Sequence, residues 1–188
     1  MRKLTFIIGG ARSGKSAYAQ KIAGESEGSV LFVATAQPLD DEMRRRIEQH
    51  RQNRSPDWQT LELPANVGRR LLAQRAAADV LVLDCITLLI SNVLLQTSPD
   101  LDAPDEAAAR GAAEAEVDGL LKAHAELGGH WVVVSNEVGQ GVVPAYPAGR
   151  LFRDLLGWVN QRMAAEADEV IWMVAGIPVP IGEWRKQN

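Results

Sequence analysis

Cysteine is nearly absent: Cys85 is the only one in 188 residues. A single thiol excludes an internal disulfide framework and a multi-cysteine metal site, and it fits a reducing, cytoplasmic compartment. A basic excess is also missing. Twenty Lys and Arg stand against 24 Asp and Glu, a formal net charge of −4, which argues against a nucleic-acid partner. No apolar run approaches the roughly 18 residues that a membrane span needs. The apolar stretch after Lys3 stops at Gly9-Gly10, too soon for a secretory signal. There is no repeat, low-complexity tract or linker. With 46% hydrophobic and 23% charged residues, the chain is expected to form one domain over 1–188, with a core that needs no staples.

What the sequence does contain is an alternation of short apolar runs with longer helical patterns. Strands are expected at 4–8, 30–34, 58–63, 80–83, 131–135 and 169–174. Helices are expected at 15–26, from Asp40 or Asp41 to about Gln52, and at 65–77, 86–96, 106–127 and 148–167. Continuous apolar strands separated by helices indicate a mainly parallel sheet covered on both faces, an α/β fold. Residues 177–181, Ile-Pro-Val-Pro-Ile, read as an edge segment, because proline cannot donate to a ladder. Residues 97–104, with two prolines and two aspartates, read as a surface loop. The apolar helix at 86–96 suits either core or an interface.

The strongest motif is Gly9-Gly10-Ala11-Arg12-Ser13-Gly14-Lys15-Ser16, a full G-x-x-x-x-G-K-[ST] match between an expected strand and an expected helix. Glycines let the backbone approach phosphate closely, and successive N–H groups at a helix N-terminus face negative charge. Lys15 is expected to reach the β- and γ-phosphates and Ser16 to ligate Mg²⁺. Arg12 adds a cation inside the loop. Val80-Leu81-Val82-Leu83-Asp84 has the form of an apolar strand ending in a magnesium-side carboxylate. These features imply a nucleoside triphosphate. The Asn-Lys-x-Asp guanine motif of regulatory GTPases is absent.

A second feature is the basic stretch from Met43 to Arg54, with one of the three histidines in the chain. Arg46, His50 and Arg54 share a face if the helix extends that far, and His50 also neighbours the apolar Met43 and Ile47. By pattern alone this is a solvated basic face with an incidental histidine. The alternative is that a neutral imidazole attacks phosphorus while the arginines hold phosphates. His124 and His130 read as structural or surface residues.

Taken in order and spacing, these residues resemble the bifunctional adenosylcobinamide kinase / adenosylcobinamide-phosphate guanylyltransferase family of cobalamin biosynthesis. The carriers are the phosphate loop, Ala34-Thr35-Ala36, Asp40-Asp41-Glu42-Met43 with Arg46, Ile47 and His50, and the stretch from Trp58 to Glu62. Further along come Asp84-Cys85-Ile86-Thr87, Ser135-Asn136-Glu137-Val138-Gly139, Val159-Asn160-Gln161-Arg162 and Ala167-Asp168-Glu169-Val170. The resemblance implies a P-loop NTPase-type three-layer fold and a homotrimer. It makes His50 the residue that becomes guanylylated; family members often carry two adjacent histidines there, where this chain has Gln49-His50. It assigns GTP contacts to Ala34, Thr35 and Ala36, to Arg51, Gln52, Asn53 and Arg54, and to Glu62 and Asp84. Glu62 can accept from guanine N1–H and the exocyclic amine.

The activity so implied has two parts. ATP or GTP phosphorylates adenosylcobinamide, and His50 then passes GMP from GTP to adenosylcobinamide phosphate. One phosphate loop does not readily present both γ- and α-phosphorus in a single pose, so either the basic helix moves or GTP binds in two ways. The alternatives are a plain P-loop small-molecule kinase with no guanylyl step, and a non-catalytic nucleotide switch.

Overall fold

The computed structural model describes residues 2–52 and 54–182, with the side chain of Arg46 outside the description. In chain order the elements are β1 (Lys3–Gly9), α1 (Lys15–Gly24), β2 (Val30–Ala34), α2 (Asp41–Gln52), β3 (Gln59–Glu62), α3 (Val67–Gln74) and β4 (Val80–Asp84). They continue with α4 (Ile86–Thr97), α5 (Glu106–Leu127), β5 (His130–Asn136), α6 (Pro147–Glu166), β6 (Glu169–Val174) and β7 (Ile177–Pro180). The strands form one sheet in the order β3-β2-β4-β5-β1-β6-β7. Every pairing is parallel except β6–β7, so the proline-bearing segment is an antiparallel edge strand, as its lost donors require.

The two-residue period of the strands builds two cores. Phe6, Val33, Leu83 and Val133 face one way, where they meet Leu71 of α3, Leu89 of α4, Leu120 of α5 and Leu156 of α6. Ile7, Phe32, Val82 and Val134 face the other, against Ala19 and Ala23 of α1. The result is three layers. Helix α4 is core: Ile86, Leu89, Ile90 and Val93 are buried, while Leu95 at its far end is exposed. His124 and His130 are structural, with ring nitrogens on the Lys3 carbonyl and the Thr5 hydroxyl.

Helix α3 is shorter than the periodicity of 65–77 suggests, and its start is set from a distance. Both carboxylate oxygens of Glu116 on α5 accept from the N–H groups of Asn66 and Val67, satisfying two donors at the helix start. At the other end Arg75 takes a left-handed φ of 47°, and the Ala76 N–H bonds back to Leu71 O at 3.0 Å. Gly68 lets α3 press onto α5, since a Cβ there would lie 2.0 Å from the Gly119 carbonyl oxygen. The obstacle is backbone and cannot rotate aside. Gly68→Ala is therefore expected to destabilise the fold by about 2–3 kcal/mol, read as a lower urea midpoint with unchanged m-value.

Candidate active site

The phosphate loop, the end of β4 and the basic helix converge on one cleft of about 890 Å³ at the carboxyl edge of the sheet. The loop shape follows from its glycines. Gly14 has a left-handed φ of 95° immediately before α1, and a Cβ on Gly9 would sit 2.4 Å from the Met173 carbonyl oxygen. Arg12 also takes a left-handed φ, 57°. The Ser13 carbonyl accepts from the Gly176 N–H at 3.0 Å, which ties the loop to the β6–β7 turn.

Lys15 opens α1 and is only 7% exposed. Its Nζ donates to the Gly10 carbonyl at 2.6 Å and to Ser13 Oγ at 3.4 Å. Burial pushes its pKa down, while Cys85 and Asp84 nearby oppose the shift. The ammonium is thus held inside the loop by weak neutral acceptors that phosphate oxygens can replace. Ser16 and Asp84 line the same cleft. A hydroxyl and a carboxylate form a hard oxygen donor set suited to Mg²⁺, which keeps waters and takes phosphate oxygens.

Asp84 is placed by a clasp from the neighbouring strand. Thr35 is 0% exposed and does not line the cleft. Its Oγ1 donates to the Cys85 carbonyl at 2.7 Å and accepts from the Cys85 N–H at 2.9 Å. The Thr35 N–H bonds to Asp84 O, and Asn92 donates to the Thr35 carbonyl at 2.9 Å. Ala34 and Ala36, on either side, do line the cleft. Burial, then the Asp84 charge, raise the Cys85 thiol to about 12, so it stays neutral.

Helix α2 is capped as expected: Asp40 Oδ1 accepts from the Met43 N–H at 2.7 Å. Met43 and Ile47 are half-buried and His50 is exposed, and all three line the cleft opposite the phosphate loop. The face proposed for Arg46, His50 and Arg54 does not extend to Arg54. The helix ends at Gln52, and Arg54 enters the cleft from the turn that follows, its N–H on Arg51 O at 3.1 Å. There its guanidinium lies 3.7 Å from the centre of the Phe32 ring, and Nε is buried without a hydrogen-bond partner among the described residues. Burial lowers the Arg54 pKa, and Asp84 opposes that shift. A desolvated, underbonded arginine beside a phosphate loop is suited to an anion.

Arg51 pairs with Glu62 at the end of β3, and that hydrogen bond, with the Glu62 charge, raises the Arg51 pKa. The pair is exposed and engages only Oε1 of the Glu62 carboxylate. Gln52 and the glycines Gly9 and Gly10 lie outside the cleft lining, and Asn53 is outside the described residues. Several cleft residues were given no role from the sequence, among them Arg44, Glu48 and Asn136, the last residue of β5. The signal of Asn136 was present, a polar residue ending an apolar strand, but its meaning depends on strand order.

A model of the family described as cobinamide kinase / cobinamide phosphate guanyltransferase matches residues 5–181. The bifunctional adenosylcobalamin biosynthesis protein CobU of Escherichia coli strain K12 is 42% identical over 181 residues, covering 95% of this chain and 99% of that protein. The corresponding protein CobP of Pseudomonas aeruginosa is 42% identical over 176 residues, covering 93% and 95%. Among solved structures, an ATPase from the type III secretion system of pathogenic bacteria superposes with a TM-score of 0.57 at 9% identity. That match takes in 92% of this chain, which spans about half (52%) of the ATPase, and it supports the P-loop α/β fold alone. The family model and the two curated relatives span nearly the whole chain, phosphate loop and histidine helix included, and the chain belongs to the cobinamide kinase / cobinamide phosphate guanyltransferase family.

Proposed function

We propose that this protein phosphorylates adenosylcobinamide with ATP or GTP and then transfers GMP from GTP, through His50, to adenosylcobinamide phosphate. The observation that carries the reading is the shared cleft: the loop from Ala11 to Ser16 and the histidine of α2 line one cavity. In the first transfer the loop amides and Lys15 hold the β- and γ-phosphates and neutralise charge that develops on the phosphoryl oxygens. Ser16 Oγ and the Asp84 carboxylate would hold Mg²⁺, which would supply further charge neutralisation on those phosphates.

In the second transfer a neutral imidazole nitrogen of His50 bonds to the α-phosphorus of GTP, and the bond to the α–β bridging oxygen breaks. Pyrophosphate leaves and a histidine–GMP phosphoramidate remains. A phosphate oxygen of the corrinoid then displaces His50 and yields adenosylcobinamide-GDP. Arg54, with its free Nε, is suited to hold the α-phosphate, and Glu62 to read guanine once Arg51 turns to phosphate. Two poses of GTP, or a shift of α2, reconcile the two transfers. No residue of α2 with a described side chain is fully buried, so a shift uncovers little core.

The proposal extends to a homotrimer in the cytoplasm. Cys85 is a free thiol, and no helix among the described residues is long and apolar enough to cross a membrane. Trp172, Val174, Ile177 and Val179 pair across β6 and β7 as an exposed apolar strip that assembly can cover. The direct test is turnover of adenosylcobinamide with Mg²⁺ and GTP, followed by mass spectrometry of the corrinoid. Products heavier by one phosphoryl group and then by one further GMP support the reading. A phosphorylated corrinoid alone leaves a plain kinase.

A further inference from the structure

Asn136 ends β5 at the carboxyl edge of the sheet, where it lines the cleft. Strand β5 lies between β1, which delivers the phosphate loop, and β4, which delivers Asp84. In register, Asn136 stands opposite Gly9, and Asp84 stands opposite Val134. Asn136 is therefore two residues further toward the carboxyl edge than the Asp84 level, and it lines the cleft with Lys15 and Ser16.

Its main chain is fixed from both sides. The Asn136 N–H donates to Thr87 Oγ1 at 2.7 Å, and its carbonyl accepts from Asn160 Nδ2 at 3.0 Å. Asn160, 6% exposed on α6, also accepts from the fully buried Ser135 hydroxyl at 2.7 Å. The next residue, Glu137, donates its N–H to the Gly9 carbonyl at 3.0 Å. A satisfied, buried polar network of this kind orders the backbone it holds. Asn136 is its only member that lines the cleft, and the Asn136 carboxamide takes no hydrogen-bond partner among the described residues.

We propose that Asn136 is a catalytic residue of the first transfer alone: its carboxamide orients the acceptor hydroxyl against the γ-phosphoryl group. Among cleft groups dominated by charge, an amide offers a donor for a phosphoryl oxygen and an acceptor for the incoming O–H at once. A carboxylate would repel the phosphate, and an ammonium would bring no acceptor. The hydroxyl oxygen bonds to γ-phosphorus, the bond to the β–γ bridging oxygen breaks, and nucleoside diphosphate leaves. The hydroxyl proton ends on the transferred phosphoryl group. His50 belongs to α2, which follows β2, and β4 separates β2 from β5. The attack of His50 on α-phosphorus does not use Asn136.

This inference rests on the two-transfer reading above, and the test separates the two. Asn136→Ala and the isosteric Asn136→Asp are compared with the unmodified protein in corrinoid phosphorylation and in labelling of His50 from α-labelled GTP. The expected result for both variants is a kcat for phosphorylation lowered about 100-fold, with nucleotide KM and His50 labelling each within about threefold in Asn136→Ala. The retained labelling also reports an intact fold. Equal loss of both transfers in both variants, or unchanged phosphorylation, overturns the assignment. If the unmodified protein neither phosphorylates the corrinoid nor takes up label, the underlying reading fails instead, and this inference fails with it.

Discussion

His50→Ala is expected to lose guanylyl transfer by at least about 1,000-fold while keeping corrinoid phosphorylation within about threefold. The asymmetry follows from where the residue sits. His50 is exposed and lies near the end of α2, and its side chain makes no hydrogen bond among the described residues. Its loss should change stability by no more than about 0.5 kcal/mol, as at other exposed helix positions. What is removed is the nitrogen that would form the phosphoramidate, and no neighbouring group replaces it: the adjacent Gln49 has no nucleophilic nitrogen. The phosphate loop, Asp84 and Asn136 are untouched. Paired rate measurements with labels on the α- and γ-phosphates, on one preparation, give the comparison. A variant that retains both activities would return His50 to the solvated face of a basic helix and leave a plain kinase.

Lys15→Met should act the other way, with phosphoryl transfer falling about 100- to 1,000-fold and no loss of fold. Lys15 is nearly buried, and burial lowers its pKa, so the folded protein already disfavours the charge. Methionine keeps most of the apolar stem and removes a desolvated ammonium held only by a carbonyl and a hydroxyl. Melting temperature should stay level or rise. Guanylyl transfer should also fall, since the same loop holds the triphosphate, but by less, because the charge neutralised by Lys15 lies at the β- and γ-phosphates. Histidine, lysine and asparagine variants thus leave three distinct patterns across the two transfers.

The features legible in the sequence are those whose causes are local. The phosphate loop is a run of eight residues whose glycines dictate its path, and Asp84 follows four apolar residues that read as a fully buried strand. Strands β2 and β6 match their expected bounds because their apolar runs end at clear breaks. Features set by partners far along the chain were not legible. The start of α3 depends on Glu116, some 50 residues away. Thr35 lies beside two cleft residues, yet its side chain turns inward, because the Asp84–Cys85 backbone on the adjacent strand offers it a donor and an acceptor. Arg54 enters the cleft by stacking on Phe32 rather than by helical spacing. Asn136 acquires meaning only once β5 is known to run between β1 and β4.

On the proposed reading one cleft serves two chemistries, with a covalent histidine intermediate in the second. The decisive experiment is incubation of the protein with Mg²⁺ and GTP labelled at the α-phosphate, followed by a denaturing gel and peptide mass spectrometry. An acid-labile, base-stable GMP adduct is expected on the peptide that contains His50, absent from His50→Ala. Intact nucleotide binding without any adduct, or an adduct on another residue, would contradict that reading.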